Sequence, residues 1–127
     1  MHNLAIILQE KGHDVSGSDD EIFEPSKTRL AKSGLIPAEL GWDAKRLSTD
    51  IDMVILGMHA LESNPELAEA RSLVLVIKSF PEFLYEQTRN KVRIVIGGSH
   101  GKTTITSMIM HVLKSRDIKF DYMVGSM

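Results

Sequence analysis

The sequence predicts an α/β fold built on a parallel sheet, and three observations predict it. Short apolar runs rich in β-branched residues recur along the chain, at Ile51–Leu56, Leu73–Ile77 and Val92–Ile96. Stretches with helical spacing of apolar residues separate them. A glycine-rich turn then joins the last run to Lys102-Thr103-Thr104, which opens another helical pattern. A buried strand, a glycine turn and a helix start, in that order, build a cradle for phosphate.

Met1, Leu4, Ala5 and Leu8 share one helical face, widened by Ile6 and Ile7, and Gly12 stops the helix. The pattern runs from the first residue, with no cap and no strand before it. His13–Gly17 reads as a short strand closing on Ser18-Asp19. An acid at the end of a second strand, about 20 residues beyond a glycine loop, bonds a ribose in dinucleotide-type units. Counting back from Asp19 puts that loop upstream of Met1, so a first strand and its turn are expected to be missing. The other reading of Asp19 is a turn cap within Ser18-Asp19-Asp20.

Ser26 is expected to cap a helix over Lys27–Lys32 that Gly34 ends. A short strand is expected near Leu40–Trp42, with Trp42 in packing. Ile51–Leu56 is a buried strand whose end carries Gly57-Met58-His59, where open α/β sheets bind ligands. His59 is thus either a contact to a nucleotide-sugar phosphate or a loop histidine satisfied by backbone. Asn64 caps the next helix with Pro65 in its first position, and Glu66, Glu69 and Arg71 form its wet face. Leu73–Ile77 reads as a strand buried on both faces. Pro81–Gln87 is a short helix, and the polar stretch after it marks a boundary near residue 90.

The cradle is Gly97-Gly98-Ser99-His100-Gly101-Lys102-Thr103-Thr104. Lys102 reaches β- and γ-phosphates, and the Thr103 hydroxyl can ligate Mg²⁺. The standard P-loop pattern places glycine where Ile96 stands, so this loop is tighter. The other reading is a solvated turn with Ser99 or Thr103 capping the helix. Beyond it, Ile105, Met108, Ile109, Val112 and Leu113 form one apolar stripe, read as core. A last strand is expected between Asp117 and Gly125.

The chain has 127 residues, 43% hydrophobic and 25% charged, the composition of an ordinary globular protein. A net charge of −2 offers no footprint for nucleic acid or an acidic membrane. Cysteine is absent, which excludes disulfides and thiolate metal sites. No apolar run approaches the ~20 residues that span a bilayer. A cytoplasmic location is the expectation.

Val15-Ser16-Gly17-Ser18-Asp19, Asn64-Pro65-Glu66-Leu67 and Gly98–Thr104 together resemble the Mur ligase family, the ATP-dependent amide-forming enzymes of peptidoglycan assembly. The short cradle with Ile96 in place of glycine is similar to that family's variant. The resemblance implies a Rossmann-like UDP-substrate domain over residues 1–90, lacking its first strand, and the beginning of the central ATP-binding domain over 91–127. It implies ATP and Mg²⁺ as cofactors and UDP-N-acetylmuramate as the acid substrate. Gly57-Met58-His59-Ala60 and Pro81–Thr88 look most like members that attach the murein peptide L-alanyl-γ-D-glutamyl-meso-diaminopimelate; members that attach L-alanine are the alternative.

By the same resemblance, Gly98, Ser99, His100, Gly101, Lys102, Thr103 and Thr104 hold ATP, with Lys102 catalytic and Thr103 on Mg²⁺. Ser18, Asp19 and His59 face the UDP substrate. The family's Mg²⁺-binding carboxylate, its carbamylated lysine and its third domain are not in this sequence, so these residues alone are expected to be inactive, with ATP affinity on the order of millimolar. Without the first strand, exposed strand edges are expected to promote association. Two further readings compete: another P-loop protein such as a small kinase or GTPase, and a non-catalytic UDP-sugar-binding module.

Overall fold

The structure is a computed structural model that describes residues 1–58 and 60–124. His59 and the end of the last expected strand, at Gly125, lie outside those residues. The chain forms two compact units, Met1–Arg89 and Asn90–Met127.

The first unit is organised on one parallel crossover. Strand β1 (Met53–Leu56) leads through helix α3 (Pro65–Ser72) to strand β2 (Val76–Ser79), with Met53 opposite Val76 and Leu56 opposite Ser79. The unit opens with α1 (His2–Glu10), which packs on α2 (Ser26–Lys32), and closes with α4 (Phe80–Gln87), which lies against both strands. A single 3₁₀ turn, Ala44–Arg46, packs on α3. The buried residues among those described are few: Leu67 and Ala70, one turn apart on α3, and Phe83 on α4.

The helix starts follow local chemistry. Asn64 accepts from the amides of Glu66 and Leu67 at 2.8 and 3.2 Å, with Pro65 in the first turn, as the sequence predicts. Ser79 and Glu82 close a capping box on α4, each satisfying the other's backbone amide. The two bonds from Ser79 hold the exposed Glu82 carboxyl below its ordinary value. Ser26 departs from its expected role. It is the first residue of α2, its hydroxyl is bonded to His2 Nδ1 at 2.8 Å, and the first-turn amide of Thr28 is met instead by the Glu24 carboxylate at 3.2 Å.

Helix ends follow one pattern. After α1 and α2 the chain turns through Gly12 and Gly34 at positive φ, with Leu8 O and Leu30 O accepting from the residue beyond. After α3 the same paired bonds run from Val74 to Arg71 O and from Leu75 to Ala70 O, but the left-handed residue is Val74, at φ 54°. A β-branched residue is strained there. Val74 is 87% exposed, so its side chain contributes little burial. Val74→Gly is therefore expected to stabilise the unit. Relief of about 1–2 kcal/mol outweighs the roughly 0.5–1 kcal/mol entropic cost of glycine. A melting temperature at or below that of the parent protein counts against it.

The strand expectations need correcting. His13–Gly17, Leu40–Trp42 and Val92–Ile96 form no strand, and no strand occurs between Asp117 and Val124. The strand expected over Leu73–Ile77 lies later, at Val76–Ser79, because Leu73 and Val74 are used to end α3. Nor is it buried on both faces, since Val76 is exposed. The reason is common to all. An apolar run becomes a strand only when another backbone accepts and donates along it. Among the described residues β1 pairs with β2 alone.

In the second unit, α5 (Lys102–Ser115) is the one helix among the described residues. Its expected core stripe is largely exposed at Ile105, Met108 and Val112, as is the run before the cradle, where Val92 is 96% exposed. The amphipathic pattern is present, but no described element of its own unit covers it.

Candidate functional site

The glycine-rich loop enters α5 through Gly101, whose φ of 75° places it in the left-handed region. That conformation turns the chain abruptly from loop to helix, and a Cβ there would be strained although it would meet no atom within 4 Å. The first helical bond is donated by Ile105 N–H to Gly101 O at 2.9 Å. The first-turn amides of an α-helix have no intrahelical acceptor, and no side chain caps α5. Neither Ser99 nor Thr103 takes the capping role that was the alternative. The helix therefore presents uncompensated positive partial charge toward the loop.

Lys102 is folded back over this loop. Its ammonium donates to Gly98 O at 2.6 Å and to Ser99 O at 3.3 Å. An ammonium has three donors, so one remains for a ligand. Gly98, at φ 143°, aims its carbonyl at that ammonium. Thr103 and Thr104 follow in the first turn of α5 and are exposed, as are Ser99 and His100. Among the described residues no three His, Asp or Glu side chains come together to hold a metal ion. The side-chain oxygens at the cradle are the neutral hydroxyls of Ser99, Thr103 and Thr104, with no carboxylate among them. Such a set fits Mg²⁺ carried on phosphate oxygens with its own water, not an ion caged by protein.

A second group of the expected residues lies in the first unit. The Ser18 hydroxyl donates to Glu66 Oε1 at 2.7 Å and accepts from Arg46 Nη1 at 3.2 Å. The Asp43 N–H donates to the same Glu66 oxygen at 3.0 Å. Arg46 also donates to the carbonyls of Gly41 and Glu39, at 3.0 and 2.9 Å. Glu66 was expected on the wet face of α3. Its side chain is instead only 15% exposed, and it joins three separate segments. No local pattern signals this, because its partners lie 48 and 23 residues away in sequence. The Asn-Pro that places Glu66 in the first turn of α3 was the only readable clue.

Asp19 follows directly, its carbonyl accepting from Gly41 N–H at 2.8 Å and its carboxylate from Asp20 N–H at 3.0 Å. Partial desolvation, and then neighbouring Asp20, raise its carboxyl above the ordinary value. A raised value means that folding favours the protonated form, so ionised Asp19 opposes folding. The penalty is absent below about pH 3.9, the unfolded value, and is complete once pH exceeds the folded one. Asp19→Asn is expected to melt higher than the parent protein near neutral pH, with the difference vanishing near pH 3. An Asp19→Asn protein that melts lower at neutral pH would show that the carboxylate stabilises the fold.

The first unit's parallel β–α–β crossover and the second unit's glycine loop opening an uncapped helix are features of an α/β protein. Residues 1–92 match the Mur ligase family, catalytic domain. The chain belongs to that family. UDP-N-acetylmuramate–L-alanine ligase of Carboxydothermus hydrogenoformans is 36% identical over 114 residues, which are 90% of this chain and 24% of that protein. UDP-N-acetylmuramate–L-alanyl-γ-D-glutamyl-meso-2,6-diaminoheptandioate ligase of Escherichia coli is 30% identical over 126 residues, 98% of this chain and 27% of that protein. The crystal structure of UDP-N-acetylmuramate:L-alanyl-γ-D-glutamyl-meso-diaminopimelate ligase from Neisseria meningitides superposes with a TM-score of 0.77 at 31% identity, over 91% of this chain and 36% of that one. The chain thus spans about a quarter of the length of the curated relatives it matches.

Proposed function

We propose that this chain is the UDP-substrate domain and the beginning of the ATP-binding domain of a ligase that joins an amine to the carboxylate of UDP-N-acetylmuramate. The observation that carries it is the cradle: Gly101 turned left-handed into an uncapped helix, with Lys102 held across the loop by two carbonyls. UDP-N-acetylmuramate is the compound named in common for the relatives and for the structure.

In this reading the muramoyl carboxylate attacks the γ-phosphorus of ATP and ADP leaves. The amine then attacks the acyl carbon and phosphate leaves. Lys102 and the amides of Gly98–Thr104 orient the phosphates and stabilise the charge that builds on the transferring group. Mg²⁺, bound at Thr103 and the phosphates, would neutralise charge on the β- and γ-oxygens. Ser18 and Asp19 face the UDP moiety. His59, which lies outside the described residues, is assigned to the diphosphate on the sequence alone.

The amino substrate we infer is the peptide L-alanyl-γ-D-glutamyl-meso-diaminopimelate. The resemblance of Gly57–Ala60 and Pro81–Thr88 and the superposition on a structure of that specificity support it. L-alanine is the second reading, favoured by the 36% identical relative. Residues 1–127 by themselves are expected to bind nucleotide without turning over. Titration with UDP-N-acetylmuramate, with and without ATP and Mg²⁺, tests this. Saturable binding of the UDP-sugar supports the reading, and its absence removes it. Phosphate release on adding the peptide would overturn the expected inactivity.

A further inference from the structure

We propose that Glu66 is a positioning residue for the nucleotide-sugar. With Arg46, it holds Ser18 and the adjoining Asp19 in the place from which they meet the UDP moiety. The inference rests on the reading of Ser18 and Asp19 given above, and it adds residues that the sequence pattern left on the surface.

Three observations carry it. First, one carboxylate oxygen, Glu66 Oε1, accepts from both the Ser18 hydroxyl and the Asp43 amide. Arg46 approaches the same oxygen at 3.9 Å while bonding Ser18 Oγ and the carbonyls of Gly41 and Glu39. The cluster thus ties the segment ending in Asp19 to the 39–46 loop and to α3. The Gly41 N–H bond to Asp19 O closes the same ring from the backbone side. Second, the network is protected, with Glu66 15% and Arg46 30% exposed at the side chain. Bonds to charged partners that are shielded from water are worth more than exposed ones. Third, the place is right. Glu66 lies in the first turn of α3, and α3 follows the carboxyl end of β1, the end at which open α/β sheets bind ligands.

Glu66 takes the one donor of the Ser18 hydroxyl and Arg46 one of its two acceptor sites, which fixes the hydroxyl and leaves one acceptor site for a ligand. Its direction is set before a ligand arrives. Ordering done in the free protein is not charged against binding. Removing the Glu66 carboxylate takes the shared acceptor from Ser18 and the Asp43 amide, and leaves the Asp19 segment held by Arg46 and the Gly41 amide alone.

The test uses the 127-residue chain and UDP as probe, with affinity measured at a temperature where every variant is folded by circular dichroism. Glu66→Ala is expected to weaken UDP by about tenfold. Glu66→Gln, whose amide oxygen can accept both bonds, is expected to restore most of the affinity. Glu66→Asp, which withdraws the carboxylate by one methylene, replaces the alanine variant if that protein does not fold, and is expected to weaken UDP as well. Thr88→Ala serves as the stability control, since it removes a 2.7 Å bond to Leu84 O at the end of α4, away from the cluster. It is expected to lower the melting temperature without altering UDP affinity. Undiminished UDP binding by Glu66→Ala, or an equal loss in Thr88→Ala, overturns the positioning role while leaving the nucleotide reading intact. A parent protein that does not bind UDP overturns both.

Discussion

Lys102→Ala is expected to weaken ATP–Mg²⁺ binding by about 10- to 100-fold while leaving the melting temperature nearly unchanged. The asymmetry follows from what the side chain touches. Its ammonium bonds the carbonyls of Gly98 and Ser99, and both residues are exposed, so water replaces the lost donors at little cost. A bound phosphate has no such substitute, because the third donor and the full positive charge leave together. From a starting affinity on the order of millimolar, the loss leaves no measurable saturation. Lys102→Arg is not expected to rescue, since a planar fork cannot occupy the point between two carbonyls and a phosphate in the way a compact ammonium does. UDP binding should be unaffected, which separates the two nucleotide sites. Equal ATP affinity in Lys102→Ala and the parent protein would remove Lys102 from the site.

Phe83→Ala is expected to abolish the folded first unit or to lower its melting temperature by more than about 10 °C. Phe83 is 6% exposed, on the helix that lies against both strands. Only Leu67 and Ala70 are comparably buried among the described residues. Truncating a buried phenylalanine costs about 3–5 kcal/mol, and a domain's whole stability is about 5–15 kcal/mol. A unit with so small a core has little reserve. Phe83→Leu, which keeps most of the apolar volume, should fall between the two. A melting temperature for Phe83→Ala within a few degrees of the parent protein would mean that the unit is held together by something other than this core.

The two predictions separate what was readable from what was not. The turn from Gly101 into α5 was legible residue by residue, because a glycine loop, a lysine and a helix start are contiguous and their geometry is local. The position of Lys102 across the loop follows from a contact only four residues long. The capping of α3 by Asn64 was legible for the same reason. The clasp around Ser18 was not. Glu66, by its spacing, belongs to a wet helical face, and only its distance of 2.7 Å from Ser18 shows otherwise.

The sequence by itself determined the helices and the glycine turn that opens α5. Helices satisfy their hydrogen bonds within a few residues, so a cap, a stop and an apolar period are enough to announce them. Even there it misplaced one end, since Val74 occupies a left-handed position that the pattern reserves for glycine. Tertiary structure decided the strands and the half-buried polar cluster. Val92–Ile96 has the composition of a strand and is exposed up to Val95, while Met53–Leu56 is a strand because Val76–Ser79 runs beside it. Backbone groups in an extended segment, like the oxygens of Glu66, take their partners from distant parts of the chain, and no window of sequence contains both.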